Sequence, residues 1–170
     1  ILAEFHAAIA RASADTDAGA VIITGTDGSF CAGTDLSDLA QTPEDQRLTG
    51  GSAAGPRAGP WPIVECPKPV IAAVDGAAVG MGAEFATQCD IRIASTRARF
   101  GWIFVQRGLI PDTGAGTFLL PRLIGPAAAL RLLYSGEIID AAEAQRIGFV
   151  HEVVEADDLA AAATTEARRY

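Results

Sequence analysis

PKPVIAAVDGAAVGMGAEFATQCD, residues 67–90, decides how the rest of the chain is read. Val70 to Val74 is an unbroken apolar run of the kind buried on both faces of a parallel sheet. Asp75-Gly76 reads as a turn. Gly80 and Gly82 then flank Met81, and a helix follows with Glu84 in its first turn. Amides at a helix start have no intrahelical partner and can hold an anion. Glycines there tolerate φ > 0 and let a ligand approach the backbone. The expectation is an oxyanion site beside a carboxylate. The helix dipole alone favours a first-turn glutamate by about 0.3–1 kcal/mol. However, Met81, Ala83, Phe85 and Ala86 are not the neighbours of a solvated face, so Glu84 is expected to be paired or functional.

Outward from this stretch, strands and helices alternate. Ala20–Thr24, Ile91–Ala94 and Phe149–Val154 read as further strands, with helical stretches between them. This predicts an α/β architecture of parallel strands and crossovers, built from similar strand-turn-helix units. The chain opens on a helical pattern (Ile1, Leu2, Phe5, Ala8, Ile9) without an initiator Met and stops at Arg168-Arg169-Tyr170 inside another. It reads as the middle of a longer protein, with residues 1–170 as one domain and 155–170 as the start of a C-terminal helical region. Residues 41–60 are rich in Gln, Thr, Gly, Ser and Pro. They read as a mobile surface loop, either a lid facing substrate or a tolerated insertion.

Composition narrows the function classes. At 170 residues and 49% hydrophobic, the chain can bury one substantial core. A net charge of -8, with Lys68 the single lysine, argues against nucleic acid as a general partner. Cys31, Cys66 and Cys89 are odd in number, widely spaced and without nearby His. They form neither a disulfide framework nor a metal-ligand pattern, and a reducing, cytoplasmic setting is expected. No apolar run approaches a membrane span, and no signal peptide is seen.

Two other segments carry chemistry. In Ser29-Phe30-Cys31-Ala32-Gly33-Thr34-Asp35-Leu36, the small Ala32 and Gly33 permit a sharp turn. That turn would present the Thr34 amide at the carboxyl end of a strand, or else lead into a helix capped by Thr34 or Asp35. In RGLIPDTGAGTFLLPRLIG, residues 107–125, Pro111 disfavours a helical Ile110 and places Asp112 as N-cap of a helix over 113–124. Leu109, Ile110 and Phe118 would raise the pKa of Asp112 if it is buried. A cap and a catalytic carboxylate are compatible.

Together these segments resemble the enoyl-CoA hydratase/isomerase (crotonase) superfamily over nearly the whole chain. TGTDGSFCAGTDL is similar to its first oxyanion-loop motif. PKPVIAAVDGAAVGMGAEFATQCDIRIAS is similar to the second with its catalytic helix, and GLIPDTGAG, LLPRLIG and SGEIIDAAEAQRIGFVHEVV follow in order. The resemblance implies a spiral of ββα units, of which this chain is the core, without the first strands and the C-terminal oligomerisation helices. It implies an acyl-CoA thioester bound with its oxygen on the amides of Thr34 and Met81. Ala32, Gly33, Asp35, Leu36 and Gly80 would line the CoA path, with Ser37 a possible phosphate contact. It further implies a homotrimer or a dimer of trimers, and no cofactor beyond the coenzyme A of the substrate. The family usually has Gly where this chain has Met81, and a backbone donor tolerates that change.

The chain departs from the hydratase pattern at Phe104, which stands where hydratases of the family carry a second glutamate. Asp112 falls where isomerases and dehalogenases of the family place a catalytic aspartate. The resemblance therefore implies Glu84 and Asp112 as the proton-transferring pair, in double-bond isomerisation or atypical hydration of an enoyl-CoA. CoA-thioester hydrolysis or ring opening through Asp112, and a non-catalytic CoA-binding scaffold, are the alternatives. A dinucleotide fingerprint starting at Gly80-x-Gly82 fails, because its third glycine is Phe85 and its acidic residue is Phe104. His6 and His151 read as packing or surface residues, and Cys31 has no base in view. Trp61 and Trp102 read as core or acyl-pocket walls, while Arg97, Arg99 and Arg107 read as phosphate contacts or a solvated face.

Overall fold

The computed structural model of the protein describes residues 2–33, 62–111 and 116–170. Thr34, Asp35, Leu36, Ser37, residues 41–60 expected as a loop, Trp61 and Asp112 lie outside the described residues. Helix α1 (Leu2–Ala14) leads to β1 (Val21–Thr24), followed by β2 (Val70–Val74), β3 (Ala77–Val79) and helix α2 (Met81–Gln88). Strands β4 (Ile91–Ser95) and β5 (Arg99–Gly101), a 3-10 turn (Ile103–Arg107) and helices α3 (Leu120–Ile124) and α4 (Pro126–Ser135) come next. Strand β6 (Ile138–Asp140), helix α5 (Ala141–Arg146), strand β7 (Glu152–Val154), a second 3-10 turn (Ala156–Asp158) and helix α6 (Leu159–Ala167) complete the order.

Two sheets result. The first runs β1-β2-β4-β7 and is parallel throughout; the second runs β3-β5-β6. The chain steps from the first sheet to the second twice, β2 to β3 and β4 to β5, so the strand-to-strand step of the implied ββα units recurs. Asp75-Gly76 makes the first step. Gly76 has φ +61°, and a Cβ there would lie 1.9 Å from the Gly28 carbonyl oxygen, so only glycine fits this turn. Both faces of β2 are buried, as its unbroken apolar sequence implies. Val70, Ala72 and Val74 join the main core with Ala83, Ala86 and Phe149, whereas Ile71 and Ala73 pack with Ile93, Leu159 and Ala163.

Two expectations are corrected. The last strand covers only Glu152–Val154, because Phe149 and Val150 donate their amides to the Ala144 carbonyl and are held at the end of α5. The helix expected over 113–124 begins at Leu120, with Pro121 in its first turn, where a missing N–H costs nothing. Its N-cap is Leu119, so Asp112 is seven residues too early for that position. Strands β3, β5 and β6, which the sequence reading did not name, have three residues each, too short for a period-2 pattern to register.

His151, expected as a packing or surface residue, enters a main-chain pairing. Its Nδ1 accepts the Arg92 amide at 3.1 Å while its own amide donates to the Arg92 carbonyl at 2.9 Å. Desolvation, then the nearby Arg92 charge, holds its pKa below the usual histidine value. The unfolded chain consequently binds a proton here that the folded chain resists, between the folded value and about 6.5. Stability from this group is complete above the unfolded value and declines as pH falls below it. The urea midpoint is expected to drop from pH 7.5 to 5.5, and to drop less in His151→Asn, which keeps an acceptor without titrating. An equal drop in both proteins would remove His151 as the cause.

Candidate active site

Strand β1 of the first sheet and β3 of the second deliver the site's two backbone segments to one place. After β1, the chain turns through Thr26–Ser29 and buries Phe30. It then pairs Cys31 in parallel with Ala78. The Cys31 amide donates to the Ala77 carbonyl at 2.8 Å, and the Val79 amide donates to the Cys31 carbonyl at 3.0 Å. This pairing carries Ala32 and Gly33 alongside Gly80 and Met81. A Cβ on Gly33 would lie 3.0 Å from the Val79 oxygen, 3.5 Å from the Met81 nitrogen and 3.8 Å from the Gly80 Cα. Gly33 has φ +98°, which a side chain would also strain.

Gly80 is the N-cap of α2, with φ 56° and ψ −117° and no side-chain cap. Its own amide donates to the Gly101 carbonyl at 2.8 Å, and the Glu84 amide closes the first turn on the Gly80 carbonyl at 3.1 Å. The preceding amides, Met81 among them, have no partner within the helix. Gly80 and Met81 are half-buried, so this end of α2 borders accessible space. The expected oxyanion position is thus a helix start facing the end of the Cys31–Gly33 segment.

One turn on, Glu84 is fully buried. The Gly116 amide donates to its Oε2 at 2.8 Å. A Cβ on Gly116 would lie 2.4 Å from Glu84 Oε1, 3.2 Å from Trp102 Cδ1 and 3.4 Å from Pro111 Cβ, so these four residues meet at one point. Trp102 is fully buried there, its ring edge-on to Phe149 at 5.1 Å. Its Nε1 has no hydrogen-bond partner among the described residues. Phe104 lies half-buried in the 3-10 turn, packed on the core. Among the described residues, Glu84 is the only buried carboxylate.

Other sequence candidates are placed elsewhere. Arg97 pairs with Asp75 at the β2–β3 turn, and Arg99 donates to the Ala98 carbonyl at 2.8 Å. Both have local partners. The Cys89 thiol is pushed up to about 12 by burial and is no nucleophile. Gly116 was not singled out by sequence, although it ends the quoted GLIPDTGAG run. Its signal is the spacing of that motif, which only the fold connects to Glu84.

A family model described as enoyl-CoA hydratase/isomerase matches residues 1–170, the whole chain. The chain belongs to the enoyl-CoA hydratase/isomerase family. It is 39% identical over 169 residues to the probable enoyl-CoA hydratase echA8 of Mycobacterium tuberculosis, covering 99% of this chain and 62% of that protein. It is 41% identical over 160 residues to the crotonyl-CoA hydratase of Syntrophomonas wolfei, covering 93% of this chain and 60% of that one. The solved enoyl-CoA hydratase of Bacillus anthracis superposes with a TM-score of 0.86 at 34% identity, covering 99% of this chain and 64% of its own. The expected crotonase-like fold is thereby shown, and the chain spans less than two thirds of the length of these relatives.

Proposed function

We propose that the protein shifts the double bond of an enoyl-CoA through an enolate held between its two glycine-bearing segments. The observation that carries this reading is the approach of Gly33 to the Met81 amide, with Glu84 one turn further along the same helix. The amides of Thr34 and Met81 hold the thioester oxygen. Ala32, Gly33, Asp35, Leu36 and Gly80 line the CoA path. The Glu84 carboxylate takes a proton from the substrate carbon, and the electron pair moves onto the thioester oxygen as an enolate. Collapse of the enolate with protonation at the other end of the conjugated system, by Asp112, completes the shift without water.

Each oxyanion donor favours the enolate over the ground-state thioester, and losing one costs about 2.7–4 kcal/mol of transition-state stabilisation. The Gly116 amide supports the charged form of Glu84 by donating to it. Trp102 and Pro111 close the carboxylate from solvent. With Phe104 at the second-glutamate position, the two-glutamate activation of water is missing, which favours isomerisation. Hydration by another route is the second reading, favoured by the relatives named as hydratases.

Coenzyme A enters as part of the substrate, and this chemistry calls for no separate cofactor. No helix among the described residues is long and apolar enough to cross a membrane. We further propose a cytoplasmic homotrimer or dimer of trimers. The test of the reaction is a panel of 2-enoyl, 3-enoyl and dienoyl CoA thioesters incubated in D₂O and read by mass and absorbance. Isomerisation gives deuterium with a moved double bond and no added water. Stable water addition identifies a hydratase instead, and binding without exchange leaves a scaffold.

A further inference from the structure

Arg92, on β4, is 1% exposed. Nothing in the proposed chemistry uses it. Its guanidinium forms no hydrogen bond to a carboxylate among the described residues; every one goes to a carbonyl oxygen. Nη1 donates to Ala86 at 3.1 Å and to Cys89, Nη2 donates to Asp90 at 3.3 Å, and Nε donates to Phe149 at 2.5 Å. Ala86 and Cys89 present the orphan carbonyls at the C-terminus of α2, where a cation also meets the negative end of the helix dipole. The guanidinium lies 5.1 Å from the centre of the Phe149 ring, and that ring is the one edge-on to Trp102.

These contacts join the parts of the site. Helix α2 has only eight residues and no side-chain cap; its start is held by the Gly80 amide on the Gly101 carbonyl, and its far end by a separate set of contacts. There, Asp90 ties the chain to β2, donating its amide to the Val70 carbonyl at 2.9 Å and accepting the Val70 amide on Oδ2 at 2.8 Å. Arg92 adds the clamp across α2, β4 and Phe149. A shift of α2 would move the Met81 amide and Glu84 together. Loss of the Phe149 contact would free the Trp102 wall that abuts Glu84.

We propose that Arg92 is a positioning residue for the reaction: by clamping the C-terminus of the catalytic helix to Phe149, it sets where Met81 and Glu84 meet the substrate. This rests on the assignment of Met81 and Glu84 above. Misplacement of reacting groups by about 1 Å can cost about 10²-fold in rate. In the full chain, Arg92→Met is expected to lower kcat by about 10- to 100-fold with KM changed less than about threefold. Hydrogen exchange at amides 81–84 should accelerate. Arg92→Lys keeps the charge but cannot span four carbonyls, and should fall between the two.

Wild-type turnover of an enoyl-CoA is the control. If it is absent, the functional reading fails, whereas amide exchange still tests the clamp. If wild type turns over and folded Arg92→Met keeps both its kcat and its amide protection, the positioning role is overturned. It is equally overturned if activity falls only in proportion to the unfolded fraction. Should Arg92→Met fail to fold, the same kcat and exchange readings on Arg92→Lys decide: values equal to wild type refute the clamp.

Discussion

Glu84→Gln is expected to lower kcat by about 10²–10⁴-fold, the range of a lost general base, while leaving the fold and CoA-thioester affinity nearly intact. The substitution keeps the side chain's volume in a fully buried position and keeps an oxygen to accept the Gly116 amide. It removes only the ability to take a proton. Gly116→Ala approaches the same carboxylate from outside. Its methyl carbon would lie 2.4 Å from Glu84 Oε1 and 3.2 Å from Trp102, so the carboxylate must move while remaining ionisable. A loss of kcat comparable to that of Glu84→Gln is expected, checked by steady-state kinetics with circular dichroism of both variants. Full activity in Gly116→Ala would mean that the carboxylate position is not critical.

Gly82→Ala is expected to destabilise the protein by about 3 kcal/mol, the upper end of ordinary overpacking. Helix propensity alone points the other way, since alanine is better than glycine inside a helix by about 1 kcal/mol. Sterics decide the sign. The new methyl carbon would lie 2.0 Å from the Cys31 carbonyl oxygen, 2.8 Å from its carbon and 2.9 Å from its Cβ. The first two are backbone atoms of the segment that pairs with Ala78, and they cannot rotate away. That segment also carries Gly33 to Met81, so relieving the clash opens the proposed oxyanion site. Urea unfolding gives the stability change. A stabilised Gly82→Ala would show that the Cys31 segment yields easily and does not define the site.

The sequence made parts of this fold legible because their periodicity is long enough to see. Val70–Val74 has the bounds expected of it, and the helix expected after the glycines is present but starts at Met81, taking Gly82 into its first turn. The three-residue strands of the second sheet carry no such pattern and exist through pairing across the fold. Pro121 delayed the helix expected after Asp112, a local rule read one proline too early. At the site, Glu84 was legible from its apolar neighbours. Gly116 was not, because its amide meets Glu84 across thirty-two residues of sequence. Arg92 hides in the run IRIAS as an ordinary strand residue, and only its buried ring of carbonyls distinguishes it. Thr34 and Asp112 stand as proposals resting on motif alone.

The central claim is that Glu84 moves a proton on an acyl-CoA held at the Met81 amide. The most direct measurement is solvent deuterium incorporation into the α- and γ-carbons of a bound 3-enoyl-CoA, followed by mass spectrometry for wild type and Glu84→Gln at saturating substrate. The expected result is rapid incorporation with a moved double bond in wild type and loss of both in Glu84→Gln, with binding retained. Equal incorporation in the two proteins, or none in wild type with substrate demonstrably bound, would contradict it.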